Sequence, residues 1–219
     1  KPLEKAKKAG IEVVLVDTTV NNPGKVAVSE ISSNNYAGGA AAFKAVQRAG
    51  VSGGKVMGIG TKPGISTTDA RDKGFQDAVA KNSKFEFLGL EYSQNEPSIA
   101  AQITTAAIAA NPDLKAIFAS NLFSAQGAAT GIKQAGKEGE IIVIGFDAGP
   151  AQIDALKDGT VQALIAQKPY NIGTQGVTQA LRAINGKKNK KKITTGFTIL
   201  TDKNVNTNFG KKAAYRSKC

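Results

Sequence analysis

Histidine and tryptophan are absent from this chain of 219 residues, and cysteine and methionine occur once each. Without histidine the chain has no ready general base and lacks the commonest metal ligand. Ser-His-Asp and Cys-His catalysis and Cys-His zinc sites are thereby excluded. An enzyme would have to draw its base from a carboxylate such as Asp17 or Asp147, and nothing else supports an enzyme. No metal or cofactor is expected. Cys219 is the last residue, so no disulfide can form within the chain. No apolar run approaches the roughly 20 residues that span a bilayer, so no stable membrane insertion is expected. The opening KPLEKAKKAG reads as a helix with Lys and Glu on its face, not as a signal peptide. Acidic residues are few beside basic ones, 17 against 29, for a net charge of +12. Such an excess raises nucleic acid as a partner. The densest basic run, NGKKNKKK at 185–192, sits in a single connection, and the aromatic–basic interleaving of single-strand binders is missing. The lysines are therefore read as solvated, and no nucleic-acid partner is expected.

What is present is a regular alternation. Short β-rich runs recur at 13–16, 55–59, 85–90, 116–119, 141–145 and 163–166. Helical stretches lie between or after them, at 36–48, 67–82, 97–110, 122–135, 150–156 and 169–184. Two of these, 97–110 and 169–184, begin with proline at the first helical position, where its missing N–H costs nothing. In the first of them Ile99, Ile103 and Ala106 are read as one face. Strands alternating with helices predict an α/β fold with a largely parallel sheet.

The stretch KVMGIGTKPGISTTDARDKGF at 55–75 runs strand, glycine-rich loop, helix, the order in which nucleotide folds hold phosphate. The fingerprint fails, however. Gly58-x-Gly60 is followed by Pro63 where the third glycine belongs, and no G-x-x-x-x-G-K-[ST] is present. Ser66 with Asp69 reads as a capping box that starts a helix at Thr67. Asp69 and Asp72 suit the positive end of that helix. Arg71 does not, by up to about 1 kcal/mol. It shares a face with Phe75 and Val79. An arginine on the buried face at the loop end of a helix points toward a cleft, and its removal is expected to change folding little.

In open parallel sheets, ligands bind outside the carboxyl ends of the strands. Asp17, Asn121, Asp147 and Gln167 each follow a predicted strand. Helix capping is the competing explanation for Asn121 and Asp147. It does not serve for Gln167, a poor cap standing just before Pro169.

These residues carry a resemblance. The segments LVDT (15–18), ISSNNYAGG (31–39), TDARDKGF (68–75), FASNLFSAQGA (118–128), VIGFDAGP (143–150) and IAQKPYNIG (165–173) resemble, in order and near spacing, the periplasmic solute-binding proteins of the ribose/galactose type. These are the secreted receptors of sugar ABC transporters. The resemblance implies a type I periplasmic-binding-protein-like fold of two lobes with a sugar between them, the first lobe incomplete. The implied organisation is a remnant of the N-terminal lobe at 1–33, a C-terminal lobe at 34–166, a return to the first lobe at 167–196, and a last crossover with a basic tail at 197–219. It also implies ligand-binding roles for Asp17, Arg71, Asn121, Asp147 and Gln167, with Thr18, Asn35 and Asn95 as secondary candidates. Thr18 stands where the ribose receptors carry a second arginine, and Asn95 where they carry an aromatic. SSNN at 32–35 replaces the family's Ser-Asp-Asn, leaving Asn34 and Asn35 as hinge candidates. The family carries about two further βα units ahead of the position of Lys1. The expected function is capture of a small neutral sugar or polyol and its delivery to an ABC transporter permease, in the periplasm or another extracytoplasmic space. The effector-binding core of a LacI-type repressor is the alternative.

Overall fold

The computed structural model describes residues 1–216, so Cys219 lies outside the described residues. The elements in chain order are α1 (Pro2–Lys8), β1 (Val14–Val16), β2 (Ser29–Ser33), α2 (Asn35–Arg48), β3 (Gly54–Gly60), α3 (Ser66–Ala80), β4 (Phe85–Tyr92), α4 (Pro97–Ala110), β5 (Leu114–Ala119), α5 (Leu122–Gln134), β6 (Ile142–Phe146), α6 (Pro150–Lys157), β7 (Ala163–Ala166), α7 (Pro169–Ile184), β8 (Lys192–Thr195), β9 (Thr198–Leu200) and α8 (Asn208–Ala213). They fall into two compact units. One comprises Lys1–Asn34 and Lys168–Phe197, the other Asn35–Gln167 and the segment from Thr198 onward.

The larger unit is built on a six-stranded sheet in the order β4-β3-β5-β6-β7-β9. Its first five strands are parallel and β9 runs antiparallel to β7. The central strands β5, β6 and β7 are buried almost throughout. They read as continuous apolar runs because helices cover both sheet faces. Helices α2 and α3 pack together on one face, α4 and α5 on the other. Phe75 of α3 stacks on Phe118 of β5 at 4.9 Å, and Phe43 of α2 meets Phe85 edge-on at 4.9 Å. Between α2 and α3 the backbones touch: a Cβ on Gly39 would collide with the carbonyl of Arg71. That contact seats the helix carrying Arg71 directly on α2.

Two expectations from the sequence change here. On α4 the buried residues are Ala100, Ala101, Thr104 and Ile108, not the row Ile99, Ile103 and Ala106. The small residues win because α4 lies close against α5, and bulkier side chains are pushed to the rim of the contact. No capping box forms at Ser66. The helix begins at Ser66 with Ile65 in the capping position, and the Asp69 carboxylate instead accepts from the Gly64 N–H at 2.9 Å, closing the loop.

In the smaller unit β1, β2 and β8 form a parallel sheet with α7 packed on it. β1 is an edge strand. Tyr170, Val177, Leu181 and Ile184 of α7 are exposed. At 100° per residue they share one stripe.

Candidate functional site

The carboxyl ends of β3, β4, β5, β6 and β7 form one edge of the larger sheet, and the strand order reverses between β3 and β5. That edge is where open α/β sheets take ligands. Five described residues other than glycine have left-handed backbone: Asp17, Asn22, Gln94, Asn95 and Asp147. Four of them lie at strand ends, Asp17 and Asp147 directly after β1 and β6, and Gln94 and Asn95 two and three residues past β4. Such geometry costs free energy that flexible loops do not retain, and it concentrates where side chains are aimed for function.

Three clusters stand on the edge of the larger unit. The first surrounds Arg71, which is 3% exposed. Its Nε donates to Asn35 Oδ1 at 2.9 Å and its Nη1 donates to the Ser120 carbonyl at 2.9 Å. Its guanidinium carbon lies 3.7 Å from the centre of the Phe146 ring. Arg71 therefore ties α3 to α2, to the end of β5 and to the end of β6. The expectation that its removal changes folding little does not fit this setting, because a buried arginine with these partners is a structural centre as well as a cation at the edge.

The second cluster joins Asn121 and Asn95. Asn121 caps α5, its Oδ1 accepting from the Ser124 N–H at 3.0 Å, while its Nδ2 donates to Asn95 Oδ1 at 2.6 Å. Capping thus explains one end of this side chain, and the other end reaches across the edge toward β4. The third cluster joins Asp147 and Gln167. Gln167 Nε2 donates to Asp147 Oδ1 at 2.8 Å. Asp147 is no cap, since Gly149 takes that position on α6.

Asp17 and Thr18 follow β1 in the smaller unit. The Asp17 N–H donates to the Ile31 carbonyl at 2.7 Å, and its Oδ1 is buried.

Two residues at the larger unit's edge were missed or misread in the sequence. Tyr215 lies in the segment read as a basic tail, yet its hydroxyl donates to Asp147 Oδ1 at 3.0 Å. Asp72 was assigned to the helix dipole but is 7% exposed. Both of its carboxylate oxygens are enclosed without a well-aligned hydrogen-bond donor. Oδ2 packs over Gly60, where a Cβ would stand 2.7 Å from it. Burial pushes the Asp72 carboxyl up to about 7; the nearby Ser120 hydroxyl opposes the rise, Asp69 adds to it and the Arg71 charge opposes it. Its position one residue after an arginine on a helix gave no sign of burial.

Among the described residues no cluster of His, Cys, Asp and Glu could hold a metal ion, and no helix is long and apolar enough to cross a membrane. A groove of the larger unit, about 580 Å³, is lined by residues including Ala45, Leu156, Ala163 and Ile199 and contains none of the candidate residues. It lies beside the amino end of β7 and the carboxyl end of the antiparallel β9.

Comparison with known proteins gives consistent matches. The family model described as periplasmic binding protein domain matches residues 1–188. The ribose import binding protein of Salmonella typhimurium is 35% identical over 183 residues, covering 84% of this chain and 60% of that protein. The chain thus spans about 60% of the length of this curated relative. An ABC transporter solute binding protein from Agrobacterium vitis, bound with α-D-tagatopyranose, superposes with a TM-score of 0.94 at 38% identity, over 98% of this chain and 75% of that one. A second from the same organism, with bound D-fucose, gives 0.91 at 35% identity, over 97% of this chain and 74% of that one.

Proposed function

We propose that this chain, which belongs to the periplasmic binding protein domain family and has its α/β fold, is the greater part of a receptor for a neutral sugar or polyol. The observation that carries the reading is the convergence of Arg71, Asn95, Asn121, Asp147 and Gln167 on one strand-end edge. These groups match hydroxyls chemically. A carboxylate accepts from them, a guanidinium donates to them, and amides do both. Asp17 and Thr18, at the end of β1, are proposed as further solute ligands on the same ground. Asn35 is proposed to act mainly by orienting Arg71, whose Nε it holds.

The proposed solute is neutral because the proposed ligands place two carboxylates, Asp17 and Asp147, against the single Arg71 cation, and a phosphate or uronate would add negative charge without a matching partner. The protein releases its solute to an ABC transporter permease outside the cytoplasmic membrane, and it catalyses no reaction. The relatives named above are transport receptors, which favours this reading over a repressor core.

A thermal-shift panel on the protein as its complete gene encodes it tests the proposal. The panel holds D-ribose, D-tagatose, D-fucose, D-arabinose, D-allose and myo-inositol, with ribose 5-phosphate and galacturonate as charged members. Stabilisation by one or more neutral members is expected. A shift confined to the charged members would contradict the reading.

A further inference from the structure

The segment that follows β9 returns to the candidate site. Helix α8 is capped by Thr207, whose hydroxyl accepts from the Gly210 N–H, and the chain then runs on to Tyr215. The Tyr215 N–H donates to the Ala148 carbonyl at 2.9 Å, which fastens the segment beside the β6–α6 turn. The hydroxyl is used twice. It donates to Asp147 Oδ1 at 3.0 Å and accepts from the Gln167 backbone N–H at 3.0 Å. Gln167 Nε2 donates to the same Oδ1 at 2.8 Å. Two donors thus converge on one oxygen of a residue whose backbone is left-handed, with φ of 78°.

We infer that Tyr215 is a positioning residue that holds the Asp147 carboxylate for solute binding. The inference rests on the proposed sugar-receptor reading and extends it to a residue outside the strand ends. Among the described residues, the hydrogen bonds to the Asp147 carboxylate both end on Oδ1. With that oxygen fixed, Oδ2 is aimed in one direction and presented to a solute hydroxyl. Without the tyrosine hydroxyl, Gln167 Nε2 alone restrains the carboxylate, which can then rotate about its Cβ–Cγ bond. The Gln167 backbone N–H also loses its acceptor, so the β7 end that carries the glutamine loosens. Burial and the neighbouring Asp147 charge push the Tyr215 ionisation well above the ordinary tyrosine range, so the hydroxyl keeps its proton and remains a donor at physiological pH. Holding a flexible ligand group in its binding rotamer raises affinity by reducing the ordering cost on association.

The test is a double-mutant cycle measured by calorimetry on the protein as its complete gene encodes it. The titrant is whichever of D-ribose, D-tagatose, D-fucose, D-arabinose, D-allose or myo-inositol gives the largest thermal shift. Tyr215→Phe should weaken binding about tenfold in the parent and less than twofold in an Asp147→Asn background, since coupled groups are non-additive. Equal losses in both backgrounds, or no loss in the parent, would overturn the inference while leaving the receptor reading in place. No binding of any panel sugar by the parent would overturn both. Where Asp147→Asn binds too weakly to measure, the crystal structure of Tyr215→Phe decides. A turned Asp147 carboxylate supports positioning, and an unmoved one refutes it.

Discussion

Replacing Asp72 by asparagine should change how the stability of this protein depends on pH. Asp72 lies on α3 beside Arg71, almost wholly enclosed, with Tyr92, Gly60 and Ser120 around it. Its carboxyl rises from 3.8 to about 7 because burial disfavours the charged form. That rise corresponds to roughly 4 kcal/mol between the two forms. A folded pKa above the unfolded one means that the folded state binds the extra proton. The stabilisation is complete below pH 3.8 and is lost as pH rises through about 7. Between pH 5.5 and 8 the loss amounts to about 2 kcal/mol, or about 4–8 °C of melting temperature for a chain of this size. Asparagine has nearly the same shape and does not ionise. Asp72→Asn should therefore flatten the profile across this interval and melt higher than the parent at pH 8. Melting curves of both proteins in matched buffers from pH 5.5 to 8.5 provide the measurement. A parent profile that is flat over this range, or an equal fall with pH in the variant, would refute the assignment of a buried proton to Asp72.

Two further substitutions test the framework of the edge. Arg71→Ala should lower stability by about 3 kcal/mol, since it strips two hydrogen bonds from a buried cation's site and leaves Asn35 and the Ser120 carbonyl without their donor. Arg71→Lys should recover only part of that, because a point charge cannot serve both acceptors in the planar fork; equal stability of Arg71→Ala and parent in urea denaturation would contradict the placement. Gly39→Ala should cost about 1–3 kcal/mol by forcing α2 off α3 at the Arg71 carbonyl, read in the same denaturation assay. An unaffected Gly39→Ala would mean that the helices pack less closely than described.

The buried strands of the larger unit were legible in the sequence because each is an apolar run bounded by polar or turn residues. The helices that begin at Pro97 and Pro169 were legible from the proline itself. What escaped were β2, β8, β9 and the short helix α8 in the segment read as a basic tail. β2 is SEISS, whose serines do not suggest a strand although alternate positions are buried. β8 is KITT at the end of the lysine run, and β9 has three residues. The strand-end candidates Asp17, Asn121, Asp147 and Gln167 follow from one rule about where parallel sheets place their polar termini. Tyr215 could not be reached in this way, because its role depends on a contact across 68 residues of sequence. Asp72 and the failed capping box at Ser66 share a cause: local pattern gives the charge near a helix start, while burial and loop closure are decided by what packs against it.

The most direct test of the proposed site is a crystal structure of the protein, as its complete gene encodes it, with its best-stabilising panel sugar bound. Sugar hydroxyls within about 3 Å of the Arg71 guanidinium and of Asp147 Oδ2 are the predicted result. A sugar bound in the groove beside Leu156 and Ala163, with the strand-end residues untouched, would contradict it.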